Sequence, residues 1–423
     1  MLDHLIRFSL KHRALVITTA LLLLLLGART GMTLPVEVLP DMTKPTVTVL
    51  TESPGLAPEE VETLVTRPLE NALLGVGGLD RLRSNSDVGL SLVFVEFAWG
   101  TDIYKARQLV QERLQSVKLP ESTRSGMTPV SSLMGEILLV GLRDKSASMA
   151  PMDLRTLADR NIARRLQSIP GVAEVLAIGG GVKQLRVEPD PIRLRAEGIT
   201  LMELENAISL AAGTSTSGYL QAGPREIMVR NLAMTADPAD IASSIIKKTD
   251  NRIISIGDVA KVSFGVAPMR GDAAIAFTGE KSESAGVILS IDKAPGFDTL
   301  KLTAAIAKAH NELRPTLPQG VEASVLFRQG DFIENAIGNL KEAIRDGAIM
   351  VSIVLVLFLL NLRTTFITLT AIPLSFAITL ITFNLFGTGV NSMTLGGIAV
   401  AIGMVVDDAI VDVENVFRRL REN

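Results

Sequence analysis

Four carboxylates crowd into VVDDAIVDVEN at 405–415: Asp407, Asp408, Asp412 and Glu414. Residues 364–406, just before them, hold no charged side chain. A helix that begins near 392 carries Asp407 ~22 Å along its axis, a depth inside the hydrocarbon layer of a membrane. An ionised acid there costs ~2.5–3.5 kcal/mol. Two adjacent acids cannot both be ionised cheaply, so one of them holds a proton. On a helix Asp407 nearly eclipses Glu414, while Asp408 and Asp412 share the neighbouring stripe. Small residues lead up to them: Gly396, Gly397, Ala399, Ala401 and Gly403 form small pairs at 397/401 and 399/403. Such a face admits another helix at close range. Acids on a closely packed membrane helix can pass protons or cations. An alternative ends the helix early and leaves Asp412 and Glu414 at the cytoplasmic surface. For Asp407 and Asp408 it fails on length, because a helix stopped at 406 is short for a span of ~20 residues.

Other chemistry is scarce. The 423 residues include no cysteine, which excludes disulfides, thiol nucleophiles and thiolate metal sites. The three histidines, His4, His12 and His310, are scattered. No nucleophile, base and orienter can be assembled from this composition, so an enzyme is not expected. Gly179-Gly180-Gly181 is followed neither by Lys-Ser/Thr nor by a helix, and reads as a turn rather than a phosphate loop. No cofactor is expected. Methionines such as Met127, Met134, Met149, Met152, Met228 and Met234 could offer thioethers to a soft cation. Met is more commonly core filler, so the metal site stays unassigned. Net charge is −3, with no footprint for nucleic acid.

The elements that must carry the acids are apolar. Residues 14–28 are uncharged between Arg13 and Arg29. They read as a membrane anchor rather than a cleaved signal, since Arg29-Thr30-Gly31-Met32 supplies no small-x-small site. A second uncharged run, 347–362, is closed by Arg363, and GTGVNS at 387–392 turns the chain once more. Helices are expected at about 340–361, 364–386 and 392–418, with a tolerable kink at Pro373. Arg7, Lys11 and Arg13 precede the first span, and Arg418, Arg419 and Arg421 follow the fourth. Four spans with both termini in the cytoplasm satisfy the positive-inside rule and place 31–339 outside it.

That long segment reads as mixed α/β. Thr46–Leu50 is a strand by its β-branched content. A helix opens at Ala57-Pro58-Glu59-Glu60, and strands follow near 79–86 and 90–98. Thr101-Asp102 caps a second helix. With a strand at 136–142 the order becomes βαββαβ, a ferredoxin-like unit. The pattern then restarts: a strand from Glu136, a helix at 152–168, strands at 172–178, 272–278 and 285–292, a helix at 298–313 and a strand at 321–327. An insertion near 180–265 splits this second unit. The fold class is therefore membrane α-helical, with four transmembrane helices, plus α+β with ferredoxin-like βαββαβ repeats and an inserted subdomain.

With these residues in view, the chain resembles the N-terminal part of a resistance-nodulation-division (RND) efflux permease. GMVVDDAIVDVEN (403–415) carries the likeness, with PVEVLPDM (35–42), GLAPEEVETLVTRPLENAL (55–73), GTDIYKARQLVQERL (100–114) and IPGVAEV (169–175). The periplasmic phrases lean toward the heavy-metal-efflux branch, and the acriflavin-resistance type is also similar. The resemblance implies a proton antiporter of the inner membrane, a homotrimer among membrane lipid, with a periplasmic adaptor protein and an outer-membrane channel as partners. It divides the chain into transmembrane helix 1 (1–30), a first porter subdomain (31–130), a second (131–178 with 266–330), a docking subdomain (179–265) and transmembrane helices 2–4 (331–423). Asp407 and Asp408 match the proton-carrying acids, and Glu414 matches a frequently acidic position. Asp412 departs from the usual apolar residue. One proton falling through 100 mV supplies about 2.3 kcal/mol. Gly396, Gly397, Ala401 and Gly403 are the expected helix-packing residues. Family members have about twelve spans in two halves, so a fragment inactive by itself is implied. Heavy-metal cations are the implied cargo. Hydrophobic organic compounds, or a non-transporting membrane assembly or binding protein, remain open alternatives.

Overall fold

The computed structural model describes residues 2–37, 44–131, 135–146, 148–213, 216–230, 237–249, 252–269, 271–277, 279, 283–359 and 362–422. The chain begins with α1 (Leu2–Lys11), breaks at His12, and continues as α2 (Arg13–Thr33). The leucine run of α2 favours helix. Thr18 and Thr19 donate to the carbonyls of Ala14 and Leu15, so their hydroxyls are satisfied within the helix.

The first α/β unit runs β1 (Thr46–Glu52), α3 (Pro58–Val61), a π-helical turn, α4 (Arg67–Leu73), β2 (Leu79–Asp87), β3 (Leu90–Phe97), α5 (Ile103–Leu114) and β4 (Arg124–Met127). Its sheet has the order β2-β3-β1-β4, antiparallel throughout. Alternation along the strands turns Val47, Val49, Val93, Val95 and Phe97 toward Val61, Val65, Leu69 and Leu73 of the first helix. The Asp102 carboxylate caps α5 by accepting from the backbone of Tyr104 and Lys105. The strand that closes this sheet is β4, not 136–142 as expected. RSGM is short, polar and at a sheet edge, so it carries no alternation to read.

The second unit starts with β5 (Glu136–Asp144), α6 (Pro151–Leu157), a π-helical turn, α7 (Arg164–Gln167) and β6 (Val172–Ile178). Gly179, Gly180 and Gly181 then all take positive φ, which only glycine adopts freely, and turn the chain out of the sheet. The inserted stretch comprises β7 (Lys183–Pro189), α8 (Pro191–Glu197), α9 (Leu201–Ala212), β8 (Thr216–Ala222), β9 (Arg225–Arg230), α10 (Pro238–Ser243), β10 (Ile245–Thr249), β11 (Arg252–Ser255), α11 (Ile256–Val259) and β12 (Ala260–Val266). It has its own core around Leu204, Ile256 and Val259. The chain returns through β13 (Ala274–Ile275), β14 (Ser284–Lys293), α12 (Thr299–Leu313), a 3-10 turn and β15 (Val321–Arg328). The expected strand at 272–278 is therefore two residues long. In the sheet β6 pairs with β14, β14 with β5 and β5 with β15, all antiparallel. The two-residue β13 also pairs with β14; with it set aside, both sheets have the order second-third-first-fourth within their units.

Three long helices finish the chain: α13 (Gln329–Leu359), α14 (Leu362–Phe386) and α15 (Ser392–Glu422). α13 starts well before the expected 340, because Arg328 pairs with Asp331 and Glu334 in its first turns and Ile333 is buried. Among the described residues two helical stretches, Arg13–Thr33 and Leu369–Phe386, are long and apolar enough to cross a membrane. α14 lies between α2 and α15 and touches both.

Candidate functional site

All four acids of the 405–415 motif lie within α15. The side chains of Asp407, Asp412 and Glu414 are outside the described residues. The Asp408 side chain is exposed. So are Met393, Gly397, Val400, Met404 and Val411, which share its face at helical spacing. An acid thus sits near the C-terminal end of an exposed apolar stripe. The opposite side of α15 buries Ile398 and half-buries Leu395. Asn391 and Thr394 cap its start reciprocally: Thr394 N–H donates to Asn391 Oδ1 at 2.9 Å, and Asn391 N–H to Thr394 Oγ1 at 2.8 Å.

Of the small residues expected to admit a helix, Gly396 and Gly397 meet none among the described residues. Both are exposed, and a Cβ built on either meets nothing within 4 Å among the described residues. Ala401 is half-buried, and the surroundings of Gly403 are outside the described residues. The close approach lies elsewhere. A Cβ on Gly27 would fall 2.4 Å from Ala377 Cβ, and one on Gly31 would fall 2.9 Å from Leu380 Cδ1. Gly27-x-x-x-Gly31 is a small-x-x-x-small pair on α2, so a scan of the first apolar segment would have found it.

A second missed feature adjoins the start of α15. After α2, Leu34 is buried with Leu380 and Val390. Val36 forms a parallel bridge with Val390 in the α14–α15 turn. The Glu37 carboxylate then reaches the second α/β unit, accepting from Lys293 Nζ at 2.6 Å and Thr299 Oγ1 at 2.7 Å. No local spacing signals a contact between residues so distant in sequence.

Elsewhere in the second unit, Asp292 sits in register with Glu136 on one side and Glu174 on the other. Burial, then the neighbouring Glu136, pushes the Asp292 carboxyl up; burial, then Asp292, does the same to Glu174. No group of three His, Cys, Asp or Glu suited to a metal ion occurs among the described residues. Met127 and Met149 pack against the two α/β cores, as filler does. Met152 is half-buried, while Met134, Met234 and the Met228 side chain are outside the described residues.

Set beside known proteins, residues 5–423 match the profile described as the AcrB/AcrD/AcrF family. The chain is 34% identical over 429 residues to protein HelA of Legionella pneumophila, covering 100% of this chain and 40% of that protein. It is 35% identical over 425 residues to the cation efflux system protein CusA of Escherichia coli K12, with the same coverage of 100% and 40%. A crystal structure of a heavy metal efflux pump superimposes with a TM-score of 0.84 at 27% identity, covering 98% of this chain and 41% of that one. The chain belongs to the AcrB/AcrD/AcrF family of RND permeases. It spans 40% of the length of the two relatives named.

Proposed function

We propose that this chain is part of a proton-driven exporter of metal cations in the bacterial inner membrane. The observation that carries the proposal is Asp408, an acid placed on an exposed apolar stripe of α15. A carboxylate facing lipid is costly, so the stripe suits contact with further helices, where an acid can load and release a proton. Likeness to cation efflux proteins along the whole chain supports cations as cargo. In this proposal α2, α13, α14 and α15 all span the membrane, both termini are cytoplasmic, and the α/β units are periplasmic. The common strand order of the two sheets supports reading them as duplicated ferredoxin-like porter subdomains, with 179–265 as the docking subdomain. Asp407 and Asp408 carry the proton, and Asp412 and Glu414 line its route. The assembly is a homotrimer with an adaptor protein and an outer-membrane channel.

The test is pH-gradient-driven uptake into everted vesicles holding the intact transporter. Copper(I), zinc and cobalt serve as cation probes, and dyes as organic ones. Asp407→Asn and Asp408→Asn should each abolish cation uptake without lowering the amount of protein in the membrane. Dye transport without cation transport would shift the cargo to organic compounds. Unchanged cation uptake in both variants would leave the acids a structural role only.

A further inference from the structure

We infer that residues 34–37 form a strut by which movement of α15 reaches the second α/β unit, with Glu37 as its positioning residue. The inference rests on the proton-driven reading above. Both ends of the strut are held firmly. At one end, Lys293 Nζ donates to Glu37 Oε1, to Thr299 Oγ1 at 2.8 Å and to the Phe297 carbonyl at 3.2 Å. Thr299 closes the network through its hydroxyl to Glu37 Oε2. Lys293 is 6% exposed and Thr299 0%. These two residues end β14 and begin α12, so Glu37 grips both elements at their junction. At the other end, Glu37 N–H donates to the Val390 carbonyl and Val390 N–H to the Pro35 carbonyl, each at 3.0 Å. Asn391, next in sequence, caps α15.

The second unit is also joined to the helices through β15, which runs straight into α13. A body attached at one point can swing freely; attached at two, it must follow. Short, shielded charge-assisted hydrogen bonds hold the second point more stiffly than an exposed pair could. A shift of the α15 N-terminus would therefore pull on the β14–α12 junction rather than dissipate in the 34–37 segment.

The experiment uses the full-length transporter in everted vesicles, with gradient-driven copper(I) and zinc uptake as readout. Wild type and Asp408→Asn are run first, because loss of uptake in Asp408→Asn checks the proton reading by itself. Glu37→Gln and Lys293→Met should then lower maximal uptake about tenfold, with the KM for the cation unchanged within about twofold. The charge swap, Glu37→Lys with Lys293→Glu, should recover part of the loss. Normal maximal uptake in Glu37→Gln would overturn the strut while leaving the proton reading intact. Residues 1–423 hold no cysteine, so, with any cysteine elsewhere in the full-length transporter replaced by serine, a Val36→Cys and Val390→Cys pair gives a second test that does not remove the ion pair. Oxidation should leave uptake unchanged, since the strut and the turn move together. Loss of uptake on oxidation, recovered on reduction, would show that they must separate, and the strut would fall.

Discussion

His310 lies near the end of α12 and is 7% exposed. Burial, reinforced by the Arg314 guanidinium, holds its imidazole below the usual histidine range. The unfolded chain takes up a proton near pH 6.5 while the folded one does not, so stability is fully present above that pH. It is lost as the pH falls toward the lower folded value, with a slope of at most ~1.4 kcal/mol per pH unit for one proton. His310→Leu should flatten the response of α12 between pH 7.5 and 5, measured by amide hydrogen exchange. An equal pH response in the variant would assign the effect to other groups. At this scale the α15 acids are plain in the sequence, because charges interrupting an apolar run need no structure to be seen. Glu37, Lys293 and Thr299 are not. Each is an ordinary polar residue until folding brings it against the others.

Among the elements, the closest helix approach at a described glycine is α2 on α14 at Gly27, where a Cβ would meet the Ala377 backbone and side chain. Gly27→Leu should therefore destabilise this packing by about 1–3 kcal/mol, the usual cost of overfilling a close contact. Gly397→Leu should cost the chain's own fold less than about 0.5 kcal/mol. Thermal unfolding in detergent compares the two, and equal losses would contradict the assignment of the contact to α2. The small residues of 396–403 are as visible in sequence as Gly27 and Gly31. Composition alone marks a helix that could be approached closely and does not say which helix approaches. The strands divide the same way. β1 and β3 announce themselves by alternation, whereas β4 is recognised only because β1 supplies its backbone partners.

For the molecule as a whole, the inserted stretch enters and leaves side by side. Lys183 and Val266 are paired across β7 and β12, and Ala267 N–H donates to the Val182 carbonyl at 2.9 Å. Among the described residues its core shares no buried residue with that of the second unit. Replacing 183–266 by a two-glycine link should thus leave the β6-β14-β5-β15 sheet folded. Retained hydrogen-exchange protection in β5 and β14 would show this, and its loss would mean that the insertion helps support the sheet. The insertion is legible in outline because the strand pattern stops and resumes. Its helices α8, α10 and α11 are each too short to show a period.

Hydropathy, charge placement and turn chemistry are local, so the sequence by itself determined the apolar segments, the place of the acids after an uncharged run and the repeating α/β pattern. Which helix packs on which, which strand closes each sheet, and the grip of Glu37 on Lys293 and Thr299 depend on contacts between residues far apart in the chain. Such contacts leave no periodic trace, and only the tertiary structure decided them.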